Sequence, residues 1–537
     1  MRRAQACAGP AAVFLAFAAL FILLRSNDFF AVDGSFRCLE VYRTPGLFFR
    51  SNNHLLYTAN AFWWTRLAAA LGYTPAGPVA FLHLIELMNA LAGAAAIAIF
   101  YALLRAATES SFVAAMTTVV FGLSRCFAGQ ALNSNEPMPA ILWSFLAIAL
   151  AAQSVKKSSW LAAIGSGIFF GLAMVTYRSM ILLAPAAFVL ILSGELGAGV
   201  RLDASKDRLG RTAALVLSGV FSAAFLHAWV YAQMGQRGFA GMLSRFRSTE
   251  GADFYFGVHL HRVLQIPIGL TRNFVALAPE YTGARDFFGG PKAQIAAVLF
   301  ATAAILALLV FCAVRIARCW NDLEPVKRLS VAAGIAGLVF SLIPIVVWDP
   351  QYDKLWVQPA ACLFFLIAVA LSVSRAPSPR HWIAACALAA LALWFTSVNL
   401  RWMYQKHVNL PIEFEEAQEA STIIGKDDFV VSDWRSVGML YGYLWARPGQ
   451  YLSFPSEATT VRAKTLEEIR EGSARAKGKL GRVYFFGVLD IPQSEWKSFF
   501  GSEAGIPYSS LEPYRARAKV KARYWDKHGS ALLWEVE

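Results

Sequence analysis

Apolar runs of roughly 17–25 residues recur along this chain, each the length a helix needs to cross the hydrocarbon core of a bilayer. Inside a bilayer the backbone must satisfy its own hydrogen bonds, so such runs commit the chain to membrane-spanning helices. Candidate spans are 11–25, 78–104, 111–127, 137–155, 159–176, 179–194, 211–233, 293–315, 330–348, 355–374 and 381–400. With 57% hydrophobic and 16% charged residues, the chain has too little polar surface for a water-soluble protein of 537 residues. The fold class expected is therefore an α-helical polytopic membrane protein with about 11 transmembrane helices. Arg2 and Arg3 precede the first run, but no small-x-small cleavage site follows it, so it reads as a retained anchor.

Loop charge sets the expected orientation. Alternating from a cytoplasmic N-terminus puts the segments 154–159, 201–211, 315–328 and 374–380 inside, and all four are basic. The net charge of +14 is thus explained by cytoplasmic loops and lipid headgroups, with no nucleic-acid partner required. No Gly-rich phosphate cradle, zinc-type Cys pair or metalloprotease His-Glu motif is present. Two long outer loops, 28–77 and 234–292, belong to the transmembrane domain, residues 1–400. The first includes "HLLYTANAFWWTRLAAALG", the pattern of a helix lying in the interface with its tryptophans at headgroup level.

From about residue 401 the composition changes. "DFVVSDW", "GRVYFFGVL" and "ALLWEVE" alternate as strands do, while "PIEFEEAQEASTII" and "EATTVRAKTLEEIREGSARAK" have the helical period. Residues 401–537 are expected to form a small α/β domain on the outer face. Cys38 and Cys126 fall on that oxidising side, where a disulfide between them and two separate thiols are both open.

Two carboxylates stand at the outer ends of spans. Asp33 follows span one in "FFAVDGSFRCLEVYR", and Glu136 precedes Pro137 in "ALNSNEPMPAILW". Each has a simple structural reading. Asp33 can cap a short helix starting at Gly34, and either Asn135 or Glu136 can cap a helix whose first position is Pro137. An ionisable group at a membrane edge is also a candidate for function.

Taken together, the acid after span one and the acid before span four resemble the pattern of the GT-C superfamily of membrane glycosyltransferases. The long first outer loop, the Glu-Pro start of span four and "GLAMVTYRSMILLAP" are similar to its bacterial protein mannosyltransferase-like and aminoarabinose transferase-like branch. The resemblance covers residues 1–400, and an outer C-terminal domain is common in that superfamily. It implies an enzyme that moves a hexosyl or pentosyl group from a polyprenyl-phosphate donor to a glycan, lipid or protein acceptor, with inversion. The short loops and compact tail fit a bacterial inner membrane, with the reaction on its periplasmic face, an endoplasmic-reticulum membrane being the alternative.

On that resemblance Asp33 is the general base and Glu136 the second acidic position. Many relatives carry a second acid beside the first-loop Asp, where this chain has Gly34, which counts against a two-carboxylate metal site. The cofactor is left open, a divalent metal being one option. Glu40 lies seven residues beyond Asp33, on the same face if the segment is helical, and is either a participant or solvated.

A phosphate leaving group needs cations or a metal. Outer-side candidates are Arg178, Lys354 and, in the second long loop, Arg245, Arg247, Arg262 and Arg272, the last four reading singly as headgroup-facing cations. Lys354 in "WDPQYDKLWVQP" either contacts substrate or balances Asp353 locally. His54 in "SNNHLLY" either binds the sugar or is an interfacial loop residue, and His259 and His261 share a face only if they lie on a strand. The alternative to an enzyme is a transporter or flippase. It is disfavoured because charged residues cluster in the loops and no inverted repeat is evident.

Overall fold

The computed structural model describes residues 2–27, 38–39, 41–42, 54–193, 202–233, 260–277, 291–347, 350, 352–373, 379–433, 437–447, 449–454, 462–494, 496, 507–526 and 529–537. Two compact units emerge. One comprises Met1–Ser26, Gly46–Thr74 and His83–Lys406, the other Asn27–Pro45, Pro75–Leu82 and His407–Glu537.

The first unit is helical. Its elements are α1 (Arg2–Leu23), α2 (Leu55–Ala70), α3 (Pro78–Thr108), α4 (Ser111–Gly122), α5 (Arg125–Ala131), α6 (Pro137–Lys157) and α7 (Trp160–Thr176). A 3-10 turn, Arg178–Leu183, leads into α8 (Ala184–Leu192) and α9 (Leu202–Gln233). Then follow α10 (Leu260–Phe274), α11 (Lys292–Cys319), α12 (Pro325–Ser341), a short helix Ile343–Val347, α13 (Asp353–Ser372) and α14 (Pro379–Val408). Each of the eleven expected spans falls, among the described residues, largely on helix, and the interfacial pattern at 54–72 is α2. Among the described residues six helices are long and apolar enough to span by themselves; α4 and α5, bent by 68°, make a seventh if taken as one. Ala8–Leu23, α7 and the Arg178–Leu192 piece are apolar but shorter. The protein is an integral multi-pass membrane protein.

Between helices in lipid, close backbone approach replaces the hydrophobic drive available in water. Helices α7 and α9 meet through Gly167, Gly171 and Gly219. A Cβ on Gly167 would lie 2.2 Å from the Leu215 carbonyl oxygen, and one on Gly171 would lie 2.9 Å from that of Gly219. Ser218 Oγ adds a 3.0 Å bond to the Ile164 carbonyl. This seam carries the end of α7, and hence Tyr177 and Arg178, alongside the end of α9. Leu55, Leu56 and Ala59 of α2 pack on Val175, Val230 and Tyr231 in one cluster.

The second unit holds a five-stranded sheet in the order β2-β1-β3-β5-β4, built from β1 (Phe429–Asp433), β2 (Tyr451–Phe454), β3 (Val483–Phe486), β4 (Ala518–Asp526) and β5 (Gly529–Val536). β2, β1 and β3 are parallel, while β5 is antiparallel to both β3 and β4. Its helices are α15 (Ile412–Ile423), α16 (Val437–Leu444) and α17 (Arg462–Gly478). β3 is buried at every position, as suits a central strand of a mixed sheet. The three strands and two helices expected in the tail are present. Sequence reading missed β2, β4 and α16. β4, "AKVKARYWD", alternates basic and apolar residues as an edge strand does, and that was its available signal. Cys126 carries a free, buried thiol, so the disulfide with Cys38 is not formed.

Candidate functional site

Glu136 stands at the N-cap of α6, with Pro137 at the start of the helix, but its side chain makes no capping bond. The carboxylate instead accepts a hydrogen bond from Lys354, Nζ to Oε2 2.9 Å, and the two side chains are 0% and 4% exposed. The capping reading of Glu136 is thereby corrected, and so is the local balance of Lys354 by Asp353. Burial decides the outcome: a shielded ammonium and carboxylate must be paired, whereas an exposed pair contributes little. Asp353 lies on the α5 side, where a Cβ on Gly129 would be 3.8 Å from its Oδ2.

The loop that presents Glu136 is itself held by polar groups from two other helices. Asn89 of α3 donates from Nδ2 to the carbonyls of Asn133 and Asn135, each at 2.7 Å. Tyr57 of α2 donates to the Ser134 carbonyl at 2.7 Å. Three successive peptide groups are thus fixed just before the acid. An amide buried in an apolar helix is costly unless it is bonded, which is why Asn89 is tied so firmly. Sequence reasoning missed both residues. The signal was there for Asn89: "LIELMNALAG" places a carboxylate and an amide inside a membrane span.

On α13, Gln358 follows Lys354 by one helical turn and shares its face. Its amide donates to Ser179 Oγ at 3.2 Å, so α13 is tied to the 3-10 turn that begins at Arg178. Arg178 is half-buried beside the Tyr231 hydroxyl of α9. The neighbouring Tyr177 ring stacks on His54, with centroids 5.0 Å apart. His54 precedes α2, three residues before Tyr57. The contacts therefore close a ring: His54, Tyr177–Arg178, Ser179, Gln358, Lys354, Glu136, the 133–135 loop, Tyr57 and back.

Four of the residues singled out from the sequence, Glu136, Lys354, Arg178 and His54, belong to this ring. Glu136 and Lys354 lie at the start of α6 and α13, and Arg178 opens the helical segment leading to α8. Three helix N-termini and two cations gather at this end of the bundle, with the carboxylates of Glu136 and Asp353 among them. Asp33 and Glu40 lie outside the described residues, as do Arg245, Arg247 and His259. Arg262 is half-buried and bonds the Val347 carbonyl at 2.9 Å, while Arg272 is buried in α10 and does not face headgroups. The Leu260–Phe274 segment is helical, so the strand that would align His261 with His259 is not there. Among the described residues no group of three His, Cys, Asp or Glu is placed to hold a metal.

With this geometry in hand, the protein can be compared with known ones. Residues 61–223 match the family described as dolichyl-phosphate-mannose-protein mannosyltransferase. Over 98% of this chain and 97% of its own, ArnT from Cupriavidus metallidurans, solved bound to undecaprenyl phosphate, superposes with a TM-score of 0.59 at 13% identity. The chain has the GT-C fold. A second GT-C structure, the oligosaccharyltransferase AglB from Archaeoglobus fulgidus in complex with an inhibitory peptide and a dolichol-phosphate, covers 97% of this chain and 74% of its own. Its TM-score is 0.51 at 15% identity. No curated protein matches the chain by sequence. The GT-C resemblance drawn from Asp33, Glu136 and the loop order thus holds at the level of fold.

Proposed function

We propose that this protein is a glycosyltransferase that moves a sugar from a polyprenyl-phosphate donor to an acceptor at the outer, periplasmic face of the membrane. The observation that carries this reading is the buried Glu136–Lys354 pair, set in a ring that also holds Arg178 and His54 at one end of the bundle. Two solved GT-C proteins of the same fold were captured with lipid phosphates, which supports the donor class.

In the proposed reaction the acceptor oxygen attacks the anomeric carbon of the sugar, the bond from that carbon to the phosphate oxygen breaks, and the configuration inverts. The acceptor proton passes to Asp33, the general base. The negative charge that develops on the departing phosphate is met by Lys354 and Arg178, an ammonium acting as a point charge and a guanidinium able to hold two oxygens. An ammonium has three donors, and Glu136 orients one of them and balances its charge in a buried setting. His54, fixed by its stack on Tyr177, is assigned to the sugar, and Glu40 to the same side of the substrate. The basic loops at the opposite ends of the helices support an outer orientation for this end.

The test is transfer from a panel of radiolabelled polyprenyl-phosphate sugars by the purified protein in vesicles. Asp33→Asn is expected to slow transfer by about 10²–10⁴-fold, the usual worth of a general base. Undiminished transfer by Asp33→Asn removes the base assignment. Failure with every donor, together with substrate-dependent uptake into the vesicles, favours a transporter.

A further inference from the structure

The bundle contains an apolar cavity of about 650 Å³, well away from the Glu136–Lys354 pair. Its walls come from α3, α6, α8 with the preceding 3-10 turn, α12 and α13, including Phe100, Phe145, Leu183, Ala333 and Cys362. Polar groups in the lining gather at one end: Glu109 just past α3, Lys156 in the last turn of α6, and Ser330 near the start of α12.

That end is the one opposite the candidate site. α6 runs from Pro137, next to Glu136, to Lys157, and its 21 residues span about 30 Å, the thickness of the hydrocarbon core. The cavity therefore opens at one membrane boundary while the ring of Glu136 and Lys354 stands at the other. The two are connected along α13, where Lys354, Gln358 and Cys362 follow one another at intervals of four residues on one face.

Charge at the mouth points to the occupant. Arg105, Lys156, Lys157, Lys327 and Arg328 gather there against Glu109 and Glu324. Lys327 is engaged by both carboxylates, at 3.6 and 3.4 Å, and Arg328 donates to the Leu323 carbonyl. Both carboxylates are thus spent on Lys327, while Lys156 and Lys157 are exposed and, among the described residues, stand in no ion pair. An apolar shaft with uncompensated cations at a bilayer boundary suits an amphiphile with a negative head. Left empty, the shaft would forfeit dispersion contacts along its whole wall, and water would find few partners inside it.

We propose that this cavity is a binding site for an anionic glycerophospholipid of the adjacent leaflet, one acyl chain lying between α6, α12 and α13 and the headgroup resting on Lys156 and Lys157. The volume falls in the range of small-molecule pockets, about 300–1,000 Å³. The site is separate from the proposed donor site and does not depend on the sugar-transfer reading. A polyprenyl phosphate bound at Lys354 would have its own charged head at the opposite boundary.

The experiment is native mass spectrometry of the purified full chain, delipidated and then titrated with phosphatidylglycerol or phosphatidylcholine. The wild-type protein is expected to take one tightly held phosphatidylglycerol in preference to phosphatidylcholine. Lys156→Gln/Lys157→Gln, on exposed positions, should lower that preference by about 30-fold, the loss expected from two surface cations. Ala333→Phe should remove the tight site for both lipids by filling the shaft. Equal binding of the two lipids by the wild type overturns the proposal. So does an unchanged preference in the lysine variant, or a tightly held species that proves to be a polyprenyl phosphate.

Discussion

Lys354 reaches Glu136 across 218 residues of chain, its Nζ 2.9 Å from Oε2, with both side chains shut away from solvent. Removing one partner of such a pair leaves the other charge buried and uncompensated, which costs about 3–5 kcal/mol. Lys354→Met and Glu136→Gln are each expected to lower the melting temperature of the detergent-solubilised protein sharply. Single variants that melt within a degree of wild type would show that the pair is solvated.

The loop before Glu136 hangs on Asn89, whose amide serves two carbonyls. Asn89→Leu is expected to destabilise by about 1–3 kcal/mol, the cost of leaving buried acceptors unmet. If the loop positions Glu136 for catalysis, turnover in the vesicle assay should fall more than thermal stability does. Tyr57→Phe removes the bond to Ser134 and the longer one accepted from Asn89 at 3.4 Å, and is expected to have a smaller effect on both readouts, about 0.5–1.5 kcal/mol in stability.

The α7–α9 seam predicts a sharp contrast between glycines. Gly167→Val would drive a side chain into the Leu215 carbonyl, and the variant should not yield monodisperse protein. Gly77 has open space where a Cβ would go and no unusual backbone angle, so Gly77→Ala should be indistinguishable from wild type. Size-exclusion profiles of the two variants decide the point.

In the C-terminal unit, burial pushes the Tyr524 hydroxyl up to about 12, with Glu419 and Glu416 adding to the shift. The phenol stacks on Phe486, centroids 5.3 Å apart, and among the described residues its oxygen has no hydrogen-bond partner. A group whose folded pKa exceeds its unfolded value of about 10 contributes stability below pH 10 that is lost as pH rises toward 12. Thermal melting of the full chain should therefore fall between pH 9 and pH 11, by on the order of 1–2 kcal/mol from this group. Tyr524→Phe keeps the stack, loses the titration and should show a smaller fall.

How far the sequence reaches can be judged from particular residues. The spans are legible because a bilayer imposes a length on apolar runs that no other environment does. Glu136 and Lys354 are legible singly, since each is an ionisable group at the end of a span. Their pairing is not, because the nearest opposite charge in sequence to Lys354 is Asp353, and only packing of α13 against the start of α6 brings Glu136 closer. Gln358, Ser179 and Tyr57 are ordinary polar residues whose role arises from helix contacts far apart in the chain. β2 is four residues long, too short for its period to stand out.

In the proposed function the Glu136–Lys354 pair serves sugar transfer as well as stability. Replacing both charges, as Glu136→Gln with Lys354→Met, removes the buried-charge penalty of either single change, so much of the lost stability should return. The decisive measurement is transfer from a radiolabelled polyprenyl-phosphate sugar by this double variant, made beside its melting curve. The melting temperature is expected to lie above those of both single variants, with transfer lower than wild type by about 10²-fold or more, the scale of losing one transition-state charge contact. A double variant that melts as predicted and transfers sugar at the wild-type rate would contradict that function.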